Sequence, residues 1–115
     1  MDIGITVAAG KPGVNVVRLS GRLDATTYEA AQPVIVEALE NGPAGMILNM
    51  GSLDFISSAG LRIMLIVWKQ AAADGKQIAM VDVQPSIYKI FKIAGLDKVF
   101  RFFYNEGEAI REMWP

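Results

Sequence analysis

The stretch LDFISSAGLR, residues 53–62, joins the end of an apolar segment to the start of a strongly helical run. It places the hydroxyls of Ser57 and Ser58 at the beginning of the predicted helix. The start of a helix carries unpaired backbone N–H groups and roughly half a unit of positive charge, so it suits a serine cap or an anion. The junction therefore has two open interpretations: an ordinary helix cap, or a phosphorylated serine whose phosphate the same N–H groups would hold.

Short apolar segments alternate with helical segments on both sides of this junction. Turn residues at Lys11-Pro12-Gly13 separate the first two β-rich segments, which predicts an antiparallel hairpin. The predicted strands are Ile3–Val7, Val14–Leu19, Met46–Met50, Ile78–Val81 and Val99–Phe103. The resulting order, ββαβαβαβα, predicts an α/β fold: a mixed, mostly parallel sheet with an N-terminal antiparallel hairpin and about four helices.

The first helix is predicted to begin near Thr26, because Thr26 and Glu29 have the spacing of a capping box. Pro33 conflicts with a straight helix, so we expect a kink or a later start. The second helix is predicted from about Ser58 to Ala73. The third opens at Pro85 and the fourth is capped by Asn105. The expected core stripe of the first helix is Ala31, Val34, Ile35, Ala38 and Leu39.

The second helix is apolar around most of its circumference. One stripe at helical spacing consists of Leu61, Met64, Leu65, Trp68 and Ala72, and the apolar residues largely off it are Ile63, Ile66 and Val67. The helix is either buried between the sheet and a neighbouring helix, or it exposes an apolar patch to a protein partner. Because the patch would begin one turn from the serines, we expect a partner to dock on some of Ile63, Ile66 and Val67.

Length and composition limit the other functions. At 115 residues, with 52% hydrophobic residues, the chain is expected to form one domain, 1–115. A net charge of −1, without blocks of like charge, argues against a nucleic-acid partner. The lack of cysteine and histidine excludes disulfides, thiolate or imidazole metal sites and histidine general bases, so no cofactor is expected.

No targeting or membrane segment is predicted. Residues 1–7 lack the basic region and the apolar stretch of a signal peptide. The longest apolar stretch, around Ile63–Val67, is too short to span a bilayer. We therefore expect a cytoplasmic protein that does not insert into membranes.

The polar candidates favour binding over catalysis. With no histidine, and with Lys69 the nearest lysine in sequence, nothing local would activate either serine as a nucleophile, so we expect a substrate of another enzyme and not a catalyst. Asp24 is either a turn or cap residue or part of the site, because its loop follows a strand end as the serines do.

Three segments of the chain match elements of a known domain family. Residues 21–24, GRLD, fit a Gly-x-Leu-Asp element. Residues 47–50, ILNM, followed by LDFISSAGL at 53–61, fit a strand and its signature loop. Residues 85–96, PSIYKIFKIAGL, fit a third helix and its exit. With these three elements in the right order and over nearly its whole length, the chain resembles the STAS domain of the anti-sigma-factor antagonist family.

This resemblance implies a switch protein. In the family, the unphosphorylated domain binds a GHKL-type serine kinase that is also the anti-sigma factor, which releases the sigma factor. The kinase phosphorylates a serine of the domain and so ends binding, and a PPM-type phosphatase restores it. Some STAS proteins are instead subunits of membrane transporter assemblies, as in ABC-type lipid transport, and this is the alternative function.

Aligned on Gly60, the acceptor position is Ser58, with Ser57 as the alternative. The commoner family pattern has aspartate where this chain has Ser57, which removes a carboxylate and adds a competing hydroxyl. The resemblance also favours a site role for Asp24, as a neighbour of the acceptor. The expected partner-binding residues are Asp24, Ser57, Ser58, Gly60, Ile63, Ile66 and Val67.

Overall fold

The fold, seen in a computed structural model that describes residues 1–115, is one five-stranded sheet with helices on both faces. Its elements are β1 (Asp2–Ala8), β2 (Lys11–Leu23), α1 (Tyr28–Glu40), β3 (Gly45–Ile56), α2 (Ser58–Ala73), β4 (Gln77–Val81), α3 (Pro85–Ile93), β5 (Arg101–Phe103) and α4 (Glu106–Met113). The strand order is β1-β2-β3-β4-β5, antiparallel between β1 and β2 and parallel elsewhere. The predicted fold class and element order are confirmed.

Successive residues of the central strands point into two separate cores. Val17, Leu48 and Met80 pack with α1, α2 and α3 in the larger core. Their neighbours Val16, Ile47, Ala79 and Val81 pack with α4 in the smaller one. Because the sheet is covered on both faces, β3 and β4 begin as continuous apolar runs, which is why the sequence identified them as buried strands.

β3 is longer than predicted, since it continues beyond Met50 to Ile56. This β3 extension, Gly51–Ile56, pairs with the end of β2, and the last matched pair is Leu23 with Ile56. Its buried residues are Leu53 and Ile56, while the residues between them are wholly or partly exposed. Leu53 and Ile56 are three residues apart, so a regular strand would turn them to opposite faces. The pairing register with β2 shifts between Gly21 and Arg22, and both side chains enter the larger core. Because polar residues interrupt this extension, the sequence pattern predicts only the apolar part, Met46–Met50.

α1 begins at Tyr28, not at Thr26, and the predicted capping box is wrong. The N-cap residue, Thr27, makes no side-chain cap hydrogen bond. The Thr26 hydroxyl instead donates to the Asp24 carboxylate at 2.6 Å. The helix continues through Pro33. Val34, expected in the core stripe, is exposed, whereas the other four residues of that stripe are buried.

Candidate functional site

The two serines lie where β3 passes directly into α2. The Ser57 amide donates to the Leu23 carbonyl at 2.9 Å, so the end of β3 is fixed to the end of β2. Only Ser57 separates the last residue of β3 from the first of α2. The serines therefore lie in a tight junction and not in the loop that a strand ending at Met50 would require. We call Ile56–Ser58 the β3–α2 junction.

The two hydroxyls of the junction are in different environments. Ser57 is the N-cap residue, with extended backbone angles, yet its Oγ is buried and has no hydrogen-bond partner. It therefore does not cap the helix as a serine at this position usually does. Ser58, the first residue of α2, is exposed. An enzyme acting from solvent reaches Ser58 much more readily than Ser57.

The start of α2 provides a positive electrostatic environment. The Leu61 amide donates to the Ser57 carbonyl, so the amides of residues 58–60 precede this hydrogen bond. The first turn contains no acidic side chain that would offset the helix dipole. This arrangement favours an added negative charge at Ser58, because free N–H groups and the dipole both stabilise anions.

Gly60 allows the first turn of α2 to pack against the end of β2. A Cβ atom at this position would lie 2.9 Å from the Leu23 carbonyl oxygen and 2.6 Å from a side-chain carbon of Ile56. Both distances are shorter than real Cβ contacts, and one of them is to backbone that cannot move aside. Gly60 therefore has a packing role and is buried beneath the junction.

Replacing Gly60 with alanine is expected to lower the free energy of unfolding by about 1–3 kcal/mol, the usual range for overpacking. Alanine's higher helix propensity, about 1 kcal/mol, would offset part of that loss. Urea denaturation measures the change. The matched control is Gly107→Ala in the first turn of α4, where the added Cβ would contact only side-chain atoms, at 3.3 and 3.4 Å. The gain in helix propensity is common to both variants, so Gly60→Ala should be less stable than Gly107→Ala relative to the unchanged protein. Equal changes in stability of the two variants would contradict this packing role.

Asp24 organises the turn between β2 and α1. Its Oδ1 accepts from the amide and the hydroxyl of Thr26, at 2.9 and 2.6 Å. The Nε of Arg22 donates to its Oδ2 at 3.3 Å, and the Arg22 guanidinium also stacks over the Phe55 ring. The Thr26 hydrogen bonds, with a smaller effect from Arg22, lower the pKa of the Asp24 carboxyl. The turn interpretation is confirmed.

This turn adjoins the β3–α2 junction, because Asp24 directly follows the residue whose carbonyl accepts from Ser57. The carboxylate is only partly exposed, and its hydrogen-bond donors are Thr26 within the turn and Arg22 near the end of β2. Contact between Asp24 and a partner remains a proposal.

The predicted docking flank of α2 is partly wrong. Ile63 and Val67 are 0% exposed and belong to the larger core, so neither forms a surface. Ile66 is half-buried, and Trp68 is 38% exposed. The packing of Gly60 on Leu23 fixes the rotation of the helix. The buried stripe is therefore Gly60, Ile63, Met64, Val67 and Ala71.

Large apolar side chains of α2 remain partly exposed on two sides of the helix. Leu61, Leu65 and Trp68 share one side at helical spacing, and we refer to these three residues as the α2 flank. Ile66 lies about 100° further around the helix from Leu65. Leu61, Leu65 and Trp68 belong to the apolar stripe from which the sequence analysis set Ile63, Ile66 and Val67 apart.

Most of the chain carries a family signature. The family model for the STAS domain matches residues 6–109, which include both serines and all three helices of the larger core. The chain belongs to the STAS domain family.

Known members of the family are similar to this STAS domain along most or all of their length. The "Anti-sigma F factor antagonist" of Paenibacillus polymyxa is 31% identical over 102 residues, which cover 88% of this chain and 87% of that protein. A crystallised anti-sigma-factor antagonist (STAS) domain protein from Planctomyces limnophilus superposes with a TM-score of 0.86 at 20% identity, and covers 100% of both chains.

The Bacillus cell fate determinant SpoIIAA, solved in its phosphorylated form, superposes with a TM-score of 0.71 at 23% identity. It covers 96% of this chain and 98% of its own. At this level of identity the likeness shows the shared fold.

One residue near the site was missed by sequence reasoning. The Gln84 side chain donates from Nε2 to the carbonyls of Gly51 and Leu53, at 2.9 and 3.3 Å, and so contacts the β3 extension that leads to Ser57. Its only signal in the sequence is its place between β4 and the Pro85 that opens α3.

None of the four helices combines the length and the apolar composition that a bilayer-spanning segment needs.

Proposed function

We propose that this STAS domain is an anti-sigma factor antagonist whose binding to the anti-sigma factor is ended by phosphorylation of Ser58. The observation that supports this proposal most strongly is the difference between the two serines of the junction. Ser58 is exposed at the first residue of α2, whereas the Ser57 Oγ is buried. The similarity to anti-sigma factor antagonists supports the class of function.

In this proposal the chain acts by binding and not by catalysis. It contains no histidine or cysteine, and the Ser58 hydroxyl has no side-chain hydrogen-bond partner that would take its proton. The hydroxyl is therefore a substrate for another protein's active site. The proposed partners are a GHKL-type serine kinase that is the anti-sigma factor, and a PPM-type serine phosphatase, which places the domain in the cytoplasm with them.

The proposed docking surface is built around the exposed Ser58. On one side lies the Asp24 turn, joined to the junction through the hydrogen bond between the Ser57 amide and the Leu23 carbonyl. Further along α2 are the leucine and tryptophan side chains of the α2 flank, and Ile66 lies on another side of the same helix. A polar site beside an apolar strip is suited to a protein partner, because aromatic and aliphatic side chains anchor such interfaces.

Phosphorylation by the cognate kinase is expected to modify Ser58 and to spare Ser57. Peptide mass spectrometry after incubation with ATP and the purified GHKL-type kinase locates the phosphate. Ser58→Ala should abolish modification. The matched variant Ser57→Ala should be modified normally, because it removes a buried hydroxyl without a hydrogen-bond partner. Phosphate found on Ser57, or normal modification of Ser58→Ala, would refute the assignment.

The same assay separates this function from the transporter alternative. A transporter subunit would co-purify with an ATPase and permease complex and would not be phosphorylated by the kinase. Stable co-purification with such a complex, together with an unmodified Ser58, would replace the proposed function by that alternative.

A further inference from the structure

β3 continues for several residues after its neighbour β4 has ended. The last matched pair between the two strands is Asn49 with Val81. Beyond that point the β3 extension pairs with β2 on one edge only, as far as Leu23 with Ile56. Its other edge, where the next strand would lie, therefore carries backbone groups that require a different partner.

Gln84 supplies that partner. Its Nε2 donates to the carbonyl oxygens of Gly51 and Leu53, two residues apart on β3. Carbonyls at this spacing point to the same edge of a strand, so one side-chain amide with two N–H groups can bond both of them. The backbone of Gln84 is itself held by α3, because its carbonyl accepts from the amides of Ile87 and Tyr88.

A second side chain supports the point where β3 leaves β4. Asn49 Oδ1 accepts from the Gly51 amide at 3.0 Å, and its Nδ2 donates to Glu106 at the start of α4. The extension is thus held at its origin by Asn49 and along its free edge by Gln84. It leads without a loop into the β3–α2 junction.

We infer that Gln84 is a positioning residue: it replaces a missing strand partner for the β3 extension and thereby fixes where the junction presents Ser58. The effect on Ser58 phosphorylation rests on the proposed function, whereas the support of the β3 extension by Gln84 can be tested without it. Without the two hydrogen bonds, the extension keeps only β2 as a partner, and it is expected to open locally more often. A more mobile extension presents the serine less consistently to the kinase active site.

The test compares two substitutions of similar chemistry at opposite ends of β4. Gln84→Met removes the donor with little change in side-chain volume. The control, Gln77→Met, removes a hydrogen bond of the same type, from Gln77 Nε2 to the Met113 carbonyl, far from the junction. Gln84→Lys keeps a donor and serves as the rescue variant. If Gln84→Met folds poorly, Gln84→Ala removes the same donor and takes its place.

Amide hydrogen exchange is the first readout and needs no kinase. Exchange at the amides of the β3 extension and the junction should accelerate at least about tenfold in Gln84→Met, since two hydrogen bonds are lost. It should stay unchanged there in Gln77→Met and return towards the original rate in Gln84→Lys. Unchanged exchange in Gln84→Met, or equal acceleration in Gln77→Met, would overturn the positioning role.

The second readout is kcat/KM for Ser58 phosphorylation, measured at a temperature where all variants are fully folded. We expect a severalfold lower value for Gln84→Met, an unchanged value for Gln77→Met and partial recovery for Gln84→Lys. An unchanged value for Gln84→Met would overturn the link to Ser58. If the unchanged protein is not phosphorylated at all, the proposed function fails, and the exchange result still decides the structural role of Gln84.

Discussion

Changing Ile63 to aspartate is expected to abolish cooperative folding of the domain. Ile63 is fully buried in the larger core. A carboxylate there would lose its hydration without gaining a partner, at a cost of several kcal/mol. Such a loss is comparable to the whole stability of a domain of this size, about 5–15 kcal/mol. Circular dichroism during thermal unfolding should show no native transition.

Ile66→Asp is the matched comparison, because the same substitution is made three residues further along the same helix at a half-buried position. It should leave the domain folded, with a modest decrease in the thermal midpoint, and should weaken binding to the anti-sigma factor. A native melting curve for Ile63→Asp would mean that Ile63 lies at the surface, as first expected. The assigned rotation of α2 would then be wrong.

Phosphorylation of Ser58 is expected to lower affinity for the anti-sigma factor at least about a hundredfold. The phosphate adds roughly −1.5 to −2 charges. The positive start of α2 accommodates this charge in the free domain. A partner surface built against a neutral hydroxyl would instead enclose an unpaired charge, which costs several kcal/mol. Backbone amide spectra should change only near the junction and the adjoining Asp24 turn, because the fold itself is retained.

Two substitutions of Ser58 separate charge from the loss of the hydroxyl. Ser58→Asp should weaken binding less than phosphate does, because it carries a single charge. Ser58→Ala should bind whether or not the kinase and ATP are present. Amide shifts spread over the whole sheet after phosphorylation would contradict the local electrostatic mechanism, even if binding were lost.

The fold could be predicted because its signals are local. Continuous apolar runs identified the buried strands, and the helix bounds at Ser58–Ala73 and the cap at Asn105 follow from short-range chemistry. The Asn105 side chain does accept from the Glu108 amide. The capping box at Thr26 failed because Asp24, two residues earlier, competes for the same hydroxyl and amide. A spacing rule does not show which of two local partners a side chain will choose.

The site could be predicted in position but not in detail. The rotation of α2 was ambiguous because apolar residues surround the helix, and only the contact of Gly60 with Leu23 decides it. The hydrogen bond from the Ser57 amide to Leu23 and those from Gln84 to β3 each join segments more than thirty residues apart in sequence. Such long-range contacts leave no periodic pattern for a single sequence to reveal.

Calorimetric titration of the purified anti-sigma factor with the unmodified and the Ser58-phosphorylated domain tests the central claim most directly. We expect tight binding of the unmodified domain and at least about a hundredfold weaker binding, or none, after phosphorylation. Ser58→Ala that has been incubated with kinase and ATP should bind like the unmodified domain. Equal affinities of the unmodified and phosphorylated forms would contradict the account.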